Sequence, residues 1–219
     1  MEILKPFDKT IIRIECTDEN LYRNDDLNRS VEGLLSLSDV QNRTRGEKGD
    51  SHVGAGVTSV GQTYLQLVHL PGSKALADWI AKQMLEAKDI FGIDKQANSV
   101  EYKRSWVNRL YKGAQGKCHQ HTELDDYMRE RTDYSPINFR GDVVGIFYVD
   151  VPPNASNLVI IKDGKPGTYV SDYNVEDTFI VRPSAGQLVL HTPDVWHAVS
   201  EHQSNLHRTC FVFDANYIQ

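Results

Sequence analysis

The 219 residues carry 24 Lys and Arg against 30 Asp and Glu, for a formal net charge of −6, with 40% hydrophobic and 25% charged residues. That size and balance suit one globular domain with a real core, and the acidic total leaves no basic footprint for non-specific nucleic-acid binding. No apolar run reaches the ~18 residues of a transmembrane helix, and MEILKPFDKT has neither the basic region nor the apolar stretch of a secretion signal.

Taken in chain order, TIIRIE (10–15) is rich in β-branched residues and reads as a first strand. Residues 17–37 read as a polar helix with Leu21, Leu27, Val31, Leu34 and Leu35 as a loose apolar stripe. Residues 38–62 are rich in Gly, charge and small polar side chains and read as a long surface loop; TYLQLVHL (63–70) resumes as a strand. The clearest helix spans 73–91, with Ser73 as N-cap, Leu76, Ile80, Met84, Ala87 and Phe91 at helical spacing, and Gly92 as the stop.

After residue 98 the texture changes. SVEYKRSWVNRLY, DVVGIFYVDV, LVII, DTFIVR, GQLVLHT, WHAVSEH and RTCFVFDA are short strand candidates, separated by turns such as PPNAS, DGKPG and RPSAG. Many short strands without intervening helices argue for a sandwich or barrel. The expected architecture is mainly β with flanking helices, a double-stranded β-helix (jelly roll, cupin-like) with the 73–91 helix outside one sheet. Residues 98–219 form its core, and 1–97 pack on it as part of one domain.

Within KCHQHTELDDY (117–127), His119, His121 and Glu123 sit two apart, so an extended strand points all of them to one face. TPDVWHAVSEH adds His197 after the strand QLVLH. Two histidines and a carboxylate, with three coordination positions open, mark non-haem Fe(II) oxygenases. His191 reads as structural, His52 and His69 as incidental. Cys16, Cys118 and Cys210, with no CxxC, read as reduced thiols of a cytosolic protein, and the latter two as small buried hydrophobes.

In their order and separation these segments resemble the Fe(II)/2-oxoglutarate-dependent oxygenases. WVNRLYKGAQGKCHQH (106–121) is similar to that family's Asn, Gly-containing turn and metal strand, and the alkylation-repair branch has the register of Asn108 to His119. RPSAGQLVLHTPDVWHAV is similar to the segment carrying the distal ligand, here His197, and Arg208 follows eleven residues later in HRTCFVFDA. A subfamily with W-x-N, H-x-H, G-x-x-Y-V and a final R-x-x-x-x-F resembles the chain over 62–215.

The resemblance implies Fe(II), 2-oxoglutarate and dioxygen, with oxidation of a substrate coupled to decarboxylation of 2-oxoglutarate to succinate. It assigns Arg208 to the cosubstrate's far carboxylate, with Asn108 and Tyr148 as further hydrogen-bond partners. Where the family has H-x-D, this sequence has His121. The triad is therefore either His119, His121 and His197, which the register favours, or His121, Glu123 and His197, which ligand chemistry favours. Two other classes fit the residues: a three-histidine cupin-type dioxygenase or isomerase without 2-oxoglutarate, and a binding protein whose metal staples the sheets. Arg129, Arg131 and Arg140 among Tyr127 and Tyr134 (125–140) suit a polar or anionic substrate, such as a peptide or nucleotide.

Overall fold

Side-chain alternation along the last strand, β11 (Arg208–Ile218), sets the architecture. Phe211, Phe213 and Ala215 join a core shared with two helices, while Cys210 and Val212 join a second core on the opposite face. The structure, a computed structural model, describes residues 1–44, 55–59, 66–93, 96–121 and 141–219.

The remaining strands are β1 (Glu2–Leu4), β2 (Ile11–Glu15), β3 (Gly56–Thr58), β4 (Ser99–Leu110), β5 (Gly116–His119) and β6 (Val143–Asp150). After them come β7 (Leu158–Ile161), β8 (Thr178–Val181), β9 (Gln187–His191) and β10 (His197–Val199). They form a seven-stranded sheet ordered β1-β2-β9-β6-β11-β4-β3 and a four-stranded sheet ordered β5-β10-β7-β8. Among the described residues every strand pairing is antiparallel. The fold is a double-stranded β-helix, as the strand-rich texture predicts.

The second core lies between the sheets: Trp106, Ile146, Tyr148, Val189, Cys210 and Val212 of the large sheet face Leu158, Ile160 and Val181 of the small one. On the large sheet's outer face, helix α1 (Asp25–Thr44) packs Leu27, Val31, Leu34 and Leu35, and α2 (Lys74–Ala87) packs Leu76, Ile80 and Met84. Four of the five residues in the predicted stripe of the first helix are thus buried, and the second helix lies outside one sheet as its periodicity requires. Among the described residues, no helix is long and apolar enough to cross a membrane.

Four local expectations need correction. The first helix begins at Asp25 rather than at 17, after a short 3-10 turn at Glu19–Leu21. The stretch read as a loop from 38 to 62 instead carries that helix on to Thr44 and contributes strand β3; its other parts lie largely outside the described residues. The strand expected at 63–70 is a 3-10 turn at Leu67–His69 where it is described. There the Val68 N–H donates to Ser105 Oγ rather than to a ladder carbonyl, and Pro71 follows directly. Ser73 precedes α2 without capping it, because its hydroxyl donates to the Leu70 carbonyl at 2.7 Å.

Gly186 shows what holds the approach to β9. Its φ is +81°, and a Cβ there would lie 2.9 Å from both the Cys16 carbonyl oxygen and the Tyr22 hydroxyl. Its own N–H donates to Tyr148 O, and its carbonyl accepts from Cys16 N, both at 2.8 Å. Gly186→Ala should therefore cost at least the ~1–3 kcal/mol of a left-handed non-glycine residue. A urea midpoint equal to that of the wild type would refute this.

Candidate metal centre and its surroundings

His119 closes β5 and is the register partner of His197 on β10, which pairs with Ile160 of β7 on its other side. Ile160 belongs to the core between the sheets, so both imidazoles project toward the large sheet. His121 lies just beyond β5, anchored by its N–H to the Pro193 carbonyl at 2.9 Å. Among the described residues, His119, His121 and His197 form a group whose ligand atoms all lie within 4.8 Å of one another. Glu123, the other candidate, lies outside the described residues, as does the 125–140 stretch apart from what its sequence says.

Each ring is oriented through Nδ1. His119 Nδ1 is 2.7 Å from the Lys117 carbonyl, His197 Nδ1 is 3.0 Å from the Val195 carbonyl, and His121 Nδ1 is 2.6 Å from Asp214 Oδ1. Acceptors at Nδ1 fix the tautomer that keeps the lone pair on Nε2, the arrangement ligating histidines use. Burial, and then the neighbouring His119, His191 and His121, hold His197 well below the ordinary histidine pKa. It is therefore a neutral donor without competition from protons.

Asp214 is fully buried between His121 and Arg104, whose Nε donates to Oδ2 at 2.9 Å and whose Nη2 also reaches that oxygen. Burial alone would raise its pKa, but the charges of His121 and Arg104 bring it down to about 2. Trp106 stacks on His121 at 5.9 Å, and Arg104 lies over the Trp106 ring at 5.2 Å. His191 is also at the site: its ring is 4.9 Å from that of His197, its Nδ1 is 2.7 Å from the Thr192 carbonyl, and its Nε2 is buried without a partner. Burial first, then His121, lowers its pKa to about 4.

The other predicted residues share the large sheet's inner face. Cys210 is the register partner of Asn108 on β4 and of Tyr148 on β6, and Arg208 is two residues away on the same face. Arg208 is 2% exposed and lies with its guanidinium carbon 4.9 Å from the Tyr148 ring centre. Its Nη1 donates to Ser156 Oγ at 2.6 Å and to Ser156 O at 3.1 Å, and Nη2 is 3.5 Å from Cys210 Sγ. Its Nε, the Tyr148 hydroxyl and Asn108 Oδ1 are buried without a hydrogen-bond partner. Burial raises the Tyr148 pKa, so the phenol stays a donor. The Asn108 amide exchanges its oxygen and nitrogen by a half-turn, so either end can meet a ligand there.

Sequence reasoning missed Asp214, Arg104 and Ser156. For Asp214 a signal existed: stepping by two from Arg208 reaches Cys210, Val212 and Asp214, an acid on the inner face of an apolar strand. Cys118 and Cys210 are buried, as expected. Cys118 faces away from the site among Val159, Ile161 and Ala198.

A family model described as "Putative 2OG-Fe(II) oxygenase" matches residues 139–214. Among curated proteins, no sequence matches the chain. The fold is similar to HygX from Streptomyces hygroscopicus, solved with nickel, 2-oxoglutarate and hygromycin B bound, at a TM-score of 0.55 and 12% identity, covering 94% of this chain and 82% of that one. AviO1 from Streptomyces viridochromogenes Tue57 gives 0.50 and 12%, covering 94% and 89%. An oxidoreductase of the 2OG-Fe(II) oxygenase family from Burkholderia pseudomallei gives 0.47 and 16%, over 68% of this chain and 58% of that one. The chain thus spans under two thirds of that last protein's length. The family match and the shared fold agree with the oxygenase superfamily that the sequence resembles.

Proposed function

We propose that this chain, with the fold and the family match of the 2OG-Fe(II) oxygenases, is a non-haem Fe(II)/2-oxoglutarate-dependent oxygenase that hydroxylates a small or peptidic polar substrate. His119, His121 and His197 hold the iron through Nε2. Arg208 takes the far carboxylate of 2-oxoglutarate, with the Tyr148 hydroxyl as a second donor and Asn108 as a further partner. Trp106, Ile146, Val189 and Val212 line the sheet face between these groups and keep water from it. Fe(II) and 2-oxoglutarate together supply the activation of dioxygen.

The observation that carries this reading is the buried arginine. A fully desolvated guanidinium with Nε unpartnered, over a tyrosine whose hydroxyl is also unpartnered, suits an incoming carboxylate. HygX, the structural neighbour with the higher TM-score above, was solved with 2-oxoglutarate bound, which supports the same assignment. The all-histidine set favours a second reading, a three-histidine cupin-type enzyme without 2-oxoglutarate. That reading gives Arg208 nothing to bind.

Anaerobic addition of 2-oxoglutarate to the Fe(II) protein should produce the weak visible charge-transfer band of the chelate. Arg208→Ala removes both prongs of the carboxylate clamp and should weaken 2-oxoglutarate binding at least about thirtyfold, with iron content unchanged. Arg208→Lys keeps the charge without the planar fork and should fall between. If wild type binds no 2-oxoglutarate, or Arg208→Ala binds it equally well, the cupin reading replaces the oxygenase one.

A further inference from the structure

We propose that Ser156 and His202 are positioning residues that turn the guanidinium of Arg208 so that its Nε–Nη2 edge faces the cosubstrate. The inference rests on the oxygenase reading above and adds a pair of residues to it. A guanidinium offers its hydrogen bonds along edges, and a carboxylate takes two of them in parallel only when one edge is free and correctly aimed. In Arg208 the Nη1 corner is committed, because both oxygens of Ser156 accept from it at 2.6 and 3.1 Å. The Nε on the opposite side is buried and unpartnered, and the neighbouring Nη2 has a long contact to a thiol, a weak acceptor. Ser156 thus uses up the one corner that does not belong to the side-on fork.

Ser156 lies in the turn PPNAS between β6 and β7, and its backbone must be held in place for its two oxygens to meet Arg208. His202 supplies that restraint. The Ser156 N–H donates to His202 Nδ1 at 3.2 Å, and His202 Nε2 pairs with the Leu206 carbonyl at 2.7 Å. The acceptor at Nε2 places the ring proton there, leaving Nδ1 as the lone-pair side that Ser156 needs. The backbone of His202 adds two bonds, its N–H to Ala114 O and its carbonyl from Gly113 N, both 2.8 Å. Ser156 and His202 are each 0% exposed. The relay therefore runs from the turn after β4, through His202 and Ser156, to the side chain of Arg208, and its last two links, His202 to Ser156 and Ser156 to Arg208, are buried.

The consequence is a separation of effects. Arg208→Ala removes the clamp, whereas Ser156→Ala leaves the whole guanidinium present but held at Nη1 by the Ser156 carbonyl alone, without the shorter of its two bonds. Titrating 2-oxoglutarate into the anaerobic Fe(II) protein, Ser156→Ala should raise the dissociation constant about tenfold, the effect of losing one hydrogen bond to a charged group. Fe(II) affinity should not change. Ser156→Thr restores the hydroxyl and should return affinity to within about twofold of wild type. His202→Asn, whose Oδ1 stands where Nδ1 does, should resemble wild type, while His202→Leu should resemble Ser156→Ala. Equal binding by Ser156→Ala and wild type would overturn the proposal, as would a parallel loss of iron affinity or a failure of threonine to rescue. Wild type that binds no 2-oxoglutarate would overturn the oxygenase reading itself, a result distinct from the others.

Discussion

His197→Ala should leave the protein folded and without tightly held Fe(II). Changing outer partners of a ligating histidine typically costs 10–100-fold in metal affinity. Removing the imidazole itself should exceed about a hundredfold, because the set has three protein ligands and open positions that water fills weakly. The position matters as much as the residue. His197 sits on the short β10, gripped on one side by β5 and on the other by β7, which fixes where its ring stands. Its low pKa, set by burial and the surrounding imidazoles, keeps it an available ligand across the ordinary pH range. Iron content after anaerobic reconstitution and desalting measures the effect, and stoichiometric iron in His197→Ala would remove His197 from the centre. The same assay separates the two ligand sets. If the set is His119, His121 and His197, His119→Ala should lose iron as His197→Ala does, with Glu123→Ala near wild type. The reverse ranking assigns the metal to the glutamate.

The strands and the outer helix were legible because each obeys a local rule, period two with turn residues between or period 3.6, although that helix ends at Ala87 and reaches Gly92 only through turns. Where a local rule competes with a tertiary one, the sequence misleads. Leu67 has a strand-like setting, but it is a core residue of a 3-10 turn in which the Val68 N–H goes to the Ser105 side chain of β4 and the His69 N–H to the Gln66 carbonyl. The metal histidines were legible for a different reason. Two of them are two residues apart, and the third follows a strand and turn that antiparallel topology returns to the first. Asp214 touches His121, and Ser156 touches Arg208, from 93 and 52 positions away in sequence. Only the registers β11–β4 and β11–β6 set Arg104, Asn108 and Tyr148 beside Asp214 and Arg208, and no spacing rule encodes a register between distant strands. His191 illustrates the limit differently. Its place beside Leu190 on β9 suggests an ordinary core residue, yet its ring packs against His197 and His121.

Asp214→Ala is the substitution expected to damage both stability and metal binding. The carboxylate accepts from His121 on one oxygen and from Arg104 on the other, at 0% exposure, and these two partners hold its pKa at about 2 despite burial. Its removal leaves His121 Nδ1–H and the guanidinium without their acceptor. Breaking a buried pair costs about 3–5 kcal/mol. The low end, about 3 kcal/mol, applies here because Arg104 keeps 21% exposure and water can reach it. The His121 ring also loses the partner that sets its tautomer and raises its basicity, so Fe(II) affinity should fall about a hundredfold. Asp214→Asn distinguishes the two roles. Its amide oxygen can still accept from His121, which limits the metal defect to about tenfold, but its amide nitrogen then faces Arg104 donor to donor, so most of the stability loss remains. Urea denaturation read beside an Fe(II) titration checks both quantities on each variant. If Asp214→Ala binds iron as wild type does, His121 is held by something other than this carboxylate, and its place in the metal set must be argued from His119 and His197 alone.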